Sequence, residues 1–120
     1  MDKKELGNYG EKIAALYLEK KGYAILERNY HIKGGEIDII AAKDGFIAFV
    51  EVKTRTPDFL SDGFEAVTKA KKKLIIKASA VYSYKKPHNL QPRFDVVSII
   101  VDRKKVVGFN YIENAFDNSK

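Results

Sequence analysis

Apolar and polar positions alternate in two short runs, Gly35-Glu36-Ile37-Asp38-Ile39-Ile40 and Phe49-Val50-Glu51-Val52-Lys53, and this alternation predicts two strands. Upstream, Ala14, Ala15, Tyr17 and Leu18 recur at helical spacing and predict a helix over 11–21. Gly22 ends it, after Lys20 and Lys21, which suit a helix C-terminus. Residues 23–31 read as a first strand, and Gly34-Gly35 breaks the chain before the next. Thr56-Pro57-Asp58 and Ser61-Asp62-Gly63 mark an exposed loop. A long helix is expected from about 64 to 84, with Phe64, Val67, Leu74, Ala78, Val81 and Tyr82 on one face. Pro87 and Pro92 bracket a second loop. Residues 94–101 are apolar on both faces and belong inside a sheet. An Asp102-Arg103-Lys104 turn leads to a last strand over 105–112, and 114–120 is expected to be a mobile tail.

The order is αβββαββ. The first three strands can form a meander, and the second helix is long enough for a crossover to a parallel strand. The expected architecture is α/β: one domain over 1–120, with a mixed five-stranded sheet flanked by helices.

The link between the two alternating runs contains Asp44-Gly45, a favoured pair for a tight hairpin turn. Such a turn pairs Lys43 with Phe46. Counting outward then sets Asp38 opposite Glu51 and Glu36 opposite Lys53. Alternation gathers these four on one face, while Ile37, Ile39, Ala41, Val50 and Val52 take the core side. Like charges facing each other across a sheet are destabilising, so Asp38 beside Glu51 suggests a use, most simply a divalent cation. Two carboxylates can anchor magnesium, which keeps several waters. A nearby ammonium such as Lys53 can orient water or stabilise charge on a phosphorus centre. The structural alternative is a solvated strand face with two exposed ion pairs.

Glu11 falls within the apolar stripe of its helix, where a carboxylate needs a partner; a helix-start role is the other reading. On the second helix, Lys69, Lys72, Lys73 and Lys77 make a basic outer face able to follow a phosphate backbone. Lys71 lies instead within the arc of Val67 and Leu74 and can reach the acidic patch, or else snorkel along the helix. Asp95 opens a buried strand and could buttress the site.

Charge supports a polyanionic partner: 22 basic residues against 16 acidic give a net +6. With no cysteine there is no disulfide framework and no cysteine zinc site. The N-terminus leads into no apolar signal segment, and the apolar runs are too short to span a bilayer, so a cytoplasmic location is expected. Two histidines far apart in sequence, with no nucleophile-elbow serine, support no catalytic triad. No phosphate loop or dinucleotide fingerprint is present.

Asp38 followed by Glu51-Val52-Lys53 resembles the core of the PD-(D/E)xK nuclease superfamily. More closely, the chain resembles the YraN-like family of small bacterial proteins, which are predicted endonucleases. The motifs that carry the resemblance are Gly7-Asn8-Tyr9-Gly10-Glu11, Gly35-Glu36-Ile37-Asp38, and Phe49 to Arg55 read as F-V-E-V-K-x-R. Ala66 to Lys71, Arg93-Phe94-Asp95-Val96 and Ala115-Phe116 follow in the same order. Ile37 stands where the superfamily pattern has a proline. The resemblance implies a restriction-endonuclease-like fold, similar to archaeal Holliday-junction resolvases, and hydrolysis of DNA, in branched or damaged structures. It implies Mg2+ or Mn2+ held by Asp38, Glu51 and the Val52 carbonyl, with Lys53 as catalytic lysine and Glu11 as a further acidic site residue. Arg55, Lys69, Lys71, Lys72 and Lys73 would contact nucleic acid. By analogy with the resolvases, a homodimer is expected. The competing expectations are a nucleic-acid-binding module, or an adaptor subunit, with a vestigial site.

Overall fold

Asp2 sets the start of the first helix. Its carboxylate accepts the Glu5 N–H at 2.8 Å, while the Glu5 carboxylate accepts the Asp2 N–H at 3.1 Å, a reciprocal cap. In the computed structural model, which describes residues 1–58 and 67–117, helix α1 therefore spans Lys3–Lys20. It begins well before Glu11, where sequence periodicity placed its start. Gly7 and Gly10 hide the first turns, since glycine is a poor helix former. Gly10 is there for packing: a Cβ at that position would lie 1.7 Å from Thr54 Oγ1.

Gly22, at φ 95°, turns the chain into β1, Ala24–Ile32. A Lys33-Gly34 turn leads to β2, Gly35–Lys43. Asp44 and Gly45 both have positive φ, 50° and 82°, and join β2 to β3, Phe46–Arg55. Helix α2, Lys69–Lys85, then leads to β4, Gln91–Asp102, and β5, Lys105–Phe116. The strands stand in chain order across one sheet, antiparallel except for the parallel β3–β4 pair. The αβββαββ order and the mixed five-stranded sheet are those expected.

Further element ends differ from the sequence reading. Strand β4 begins at Gln91 rather than Phe94 and takes in Pro92, which was expected to bound a loop. Thr68, extended at ψ 158°, caps α2 by accepting the Lys71 N–H at 3.1 Å, so the helix starts at Lys69 and not at Phe64. Residues 64–66 lie outside the described residues. At the other end, β5 runs on to Phe116, where a mobile tail was expected from Asn114. Asn114 takes a left-handed conformation and gives its N–H to Asp95 Oδ1 at 2.9 Å. Phe116 then stacks on Phe94 with ring centroids 5.2 Å apart.

Each face of the sheet carries its own core. Ala14 and Leu18 of α1 pack on Ile39, Val50, Val97 and Ile99. Ile75, Ala78 and Tyr82 of α2 pack on Ile40, Ile47, Phe49 and Phe94. Each fully buried aliphatic side chain contributes roughly 1.5–3 kcal/mol, so the helices hold the sheet from both sides. No helix among the described residues is long and apolar enough to cross a membrane.

Candidate functional site

The Asp44-Gly45 turn sets the register as expected: Lys43 pairs with Phe46, and the ladder continues to Ile39 and Val50. It stops there, one position short of Asp38 and Glu51. Beyond that rung, Asp38 Oδ2 accepts the Val52 backbone N–H at 2.7 Å. A carboxylate takes the place of a backbone carbonyl, and the two strands part around it. The expected Glu36–Lys53 pairing consequently does not form; Glu36 pairs with His31 of β1 instead.

Asp38 also marks a phase break in β2. Strict alternation would set Ile37 and Ile39 on the same side of the sheet, as the sequence reading had them. Ile37 packs in the α2 core and Ile39 in the α1 core. Asp38 sits at the switch between the two faces. That position lets it act on groups from both helices: its charge raises the pKa of Lys71 on α2 and of Glu11 on α1, as well as that of Glu51 on β3.

Glu51 is 5 % exposed. Burial first, and then the negative charge of the neighbouring Asp38 carboxylate, push its pKa up to about 8. Lys71 and Lys53 act against that rise. Burial and then Asp38 also raise Glu11 above the usual carboxylate range. Among the described residues, Glu11 Oε1 and Glu51 Oε1 are buried without a hydrogen-bond partner. Such atoms are expensive to leave unmet unless something else meets them. Lys71 reaches the patch as expected, with Nζ 3.1 Å from Glu36 Oε1 and 3.7 Å from Glu51 Oε2. Its own burial opposes its charge, but Glu51, Glu36 and Asp38 outweigh that and raise its pKa.

The donor set suits a hard divalent cation. Carboxylate oxygens predominate, one of them the unpartnered Glu51 Oε1. The N–H and C=O of a strand residue point to the same side, so the Val52 carbonyl opens on the gap into which its N–H points. Among the described residues, no three His, Cys, Asp or Glu groups form a ready cage, so water or a ligand oxygen would complete the shell.

The remaining sequence candidates divide. Lys53 is half-buried near Glu51, and Arg55 is half-buried at the end of β3. Lys69 and Lys73 are exposed one helical turn apart, whereas Lys72 is half-buried with Nζ 5.5 Å from the Phe116 ring centroid. Asp95 does not buttress this site. It is fully buried in a separate network, accepting from Arg93 Nε, the Tyr111 hydroxyl at 2.6 Å and the Asn114 N–H. The sequence reading missed His31 as a neighbour. Its Nδ1–H donates to the Asn29 carbonyl at 2.9 Å, and Nε2 lies 3.7 Å from Glu36 Oε2. Only the hairpin at Lys33-Gly34, which pairs His31 with Glu36, could have signalled it.

The segment that carries these side chains, residues 10–99, matches the model of the family described as Uncharacterised protein family UPF0102. The chain belongs to the UPF0102, YraN-like family. A UPF0102 protein of Syntrophomonas wolfei is 47 % identical over 114 residues, covering 94 % of this chain and 98 % of its own. One from Caldanaerobacter subterraneus is 45 % identical over 119 residues, covering 97 % and 98 %. One from Clostridium perfringens is 43 % identical over 116 residues, covering 94 % of each chain. The family match takes in Glu11, Asp38, Glu51, Lys53 and Lys71, and leaves out β5 and the start of α1.

Proposed function

We propose that this UPF0102 protein is a metal-dependent endonuclease of the PD-(D/E)xK type, hydrolysing DNA phosphodiester bonds. The observation that carries this reading is the parting of β2 and β3 around Asp38, which leaves Glu51 Oε1 buried and unpartnered beside it. Asp38, Glu51 and the Val52 carbonyl would hold Mg2+ or Mn2+. When bound, such an ion supplies positive charge to a phosphate and acidifies water.

The chain's own groups account for the rest. The Lys53 ammonium stands beside Glu51, where it can orient the attacking water and stabilise charge on phosphorus. Glu11, whose Oε1 has no hydrogen-bond partner, can hold the outer side of that water or a second hydrated cation from the α1 side. Lys69 and Lys73 project from the first turns of α2. Positive charge there opposes the helix dipole and lowers stability, so its placement favours a ligand, and the helix end and lysines together attract phosphate. Branched or damaged DNA is the substrate class expected of a resolvase-like relative.

The test is a Mn2+-supported cleavage panel of single-stranded, duplex and four-way DNA. Asp38→Ala, Glu51→Ala and Lys53→Ala should each abolish strand cleavage while leaving the fold intact. Cleavage by the triple variant at the parent rate would place the chemistry elsewhere. Binding of all three DNAs without cleavage would instead favour a binding module with a vestigial site.

A further inference from the structure

Lys71 sits in the first turn of α2, where no acidic residue offsets it. Its ammonium bridges two strands, lying 3.1 Å from Glu36 Oε1 and 3.7 Å from Glu51 Oε2. The side chain is 26 % exposed, so water screens these contacts only in part. Glu51 therefore shares one of its oxygens with a cation delivered by a separate element, while its other oxygen has no partner. Helix α2 is fixed just before this residue by the Thr68 cap, so Lys71 swings from an anchored backbone. From there its four-carbon stem can reach the strand gap or turn outward toward the Lys69–Lys73 face.

We propose that Lys71 is a tethered counter-ion: it neutralises the Glu36–Glu51 pair when no divalent cation is bound, gives up Glu51 when one binds, and then pairs with a phosphate of the nucleic acid. The inference rests on the metal site proposed above and adds to it a competition between side chain and ion for one carboxylate. Two cations on one carboxylate repel each other, and in a half-buried setting that repulsion is only weakly screened. Metal binding and phosphate engagement are thereby coupled through one residue. The ammonium released from Glu51 becomes available as the substrate arrives.

Mn2+ titration of the full chain, with free ion read by electron paramagnetic resonance, tests this in the absence of DNA. Lys71→Gln should bind Mn2+ about tenfold more tightly than the parent, the order expected for removing one partly screened charge. Lys71→Arg, which keeps the charge, should stay close to the parent. A circular dichroism melt checks each fold, and Lys71→Met replaces Lys71→Gln if the amide proves unstable. Equal or weaker binding by the neutral variant, where parent binding still requires Asp38, overturns the counter-ion and leaves the metal site standing. Binding that survives Asp38→Asn unchanged, or is absent throughout, overturns the metal site and the counter-ion with it.

Discussion

In the metal-free chain, burial and the facing Asp38 lift the pKa of Glu51 to about 8, so its carboxyl exchanges a proton near neutral pH. The folded chain binds that proton more tightly than the unfolded chain. The stabilising contribution is complete below the ordinary value of 4.5 and is lost as pH rises through about 8. Glu11 shifts in the same direction. Lys71, raised from 10.5, keeps its contribution throughout this window. The metal-free protein should therefore lose on the order of a few kcal/mol between about pH 5 and pH 8.5. Glu51→Gln should remove most of that loss, and thermal melts across the range measure both. A parent profile that stays flat would show that Glu51 is not held in conflict with its surroundings. Much of this conflict was legible in the sequence, since Asp44-Gly45 alone brings residues 38 and 51 toward each other. The parting of the strands was not. It depends on a side chain capping a backbone amide, which no periodicity encodes.

The elements show why some boundaries were readable and others were not. Paired turn residues with positive φ mark the hairpins at Asp44-Gly45 and Arg103-Lys104, and both are local chemistry. The start of α1 was masked by two glycines, and the reason for one of them lies on another element. Gly10 meets Thr54 of β3, a contact that only the folded chain makes. Gly10→Ala sets two effects against each other. Helix propensity favours alanine by about 1 kcal/mol. The added methyl must displace a β-branched side chain on β3, and such overpacking costs roughly 1–3 kcal/mol. Destabilisation by about 1 kcal/mol is expected, with α1 lifted and Glu11 moved away from Asp38. Urea melts measure the first, and a raised urea midpoint would show that Thr54 yields freely. The β5 terminus was misread for a similar reason: Asn114 is ordered by Asp95, a partner on β4.

For the molecule as a whole, two helices on opposite faces leave the site at the parted strand ends, with Glu11 from one side and Lys71 from the other. The net charge of +6 and the exposed Lys69 and Lys73 predict binding to duplex DNA that weakens steeply with salt. Lys69→Ala and Lys73→Ala should each reduce the slope of log K against log salt by about one. Lys72→Ala should change it less, because that ammonium is already seated over Phe116. Fluorescence anisotropy between about 50 and 200 mM salt reads the slope. A salt-independent affinity would exclude this helix as a phosphate track.

Asp38 and Glu51 are central because everything proposed for Lys53, Glu11 and Lys71 follows from one ion shared between those two carboxylates. Crystals of the protein soaked in Mn2+ and measured at the manganese absorption edge test that directly. The expected result is one anomalous peak in the gap between β2 and β3, within roughly 2.0–2.3 Å of an oxygen from each carboxylate. A peak bound to only one of them, or strong peaks elsewhere with none in the gap, would contradict it.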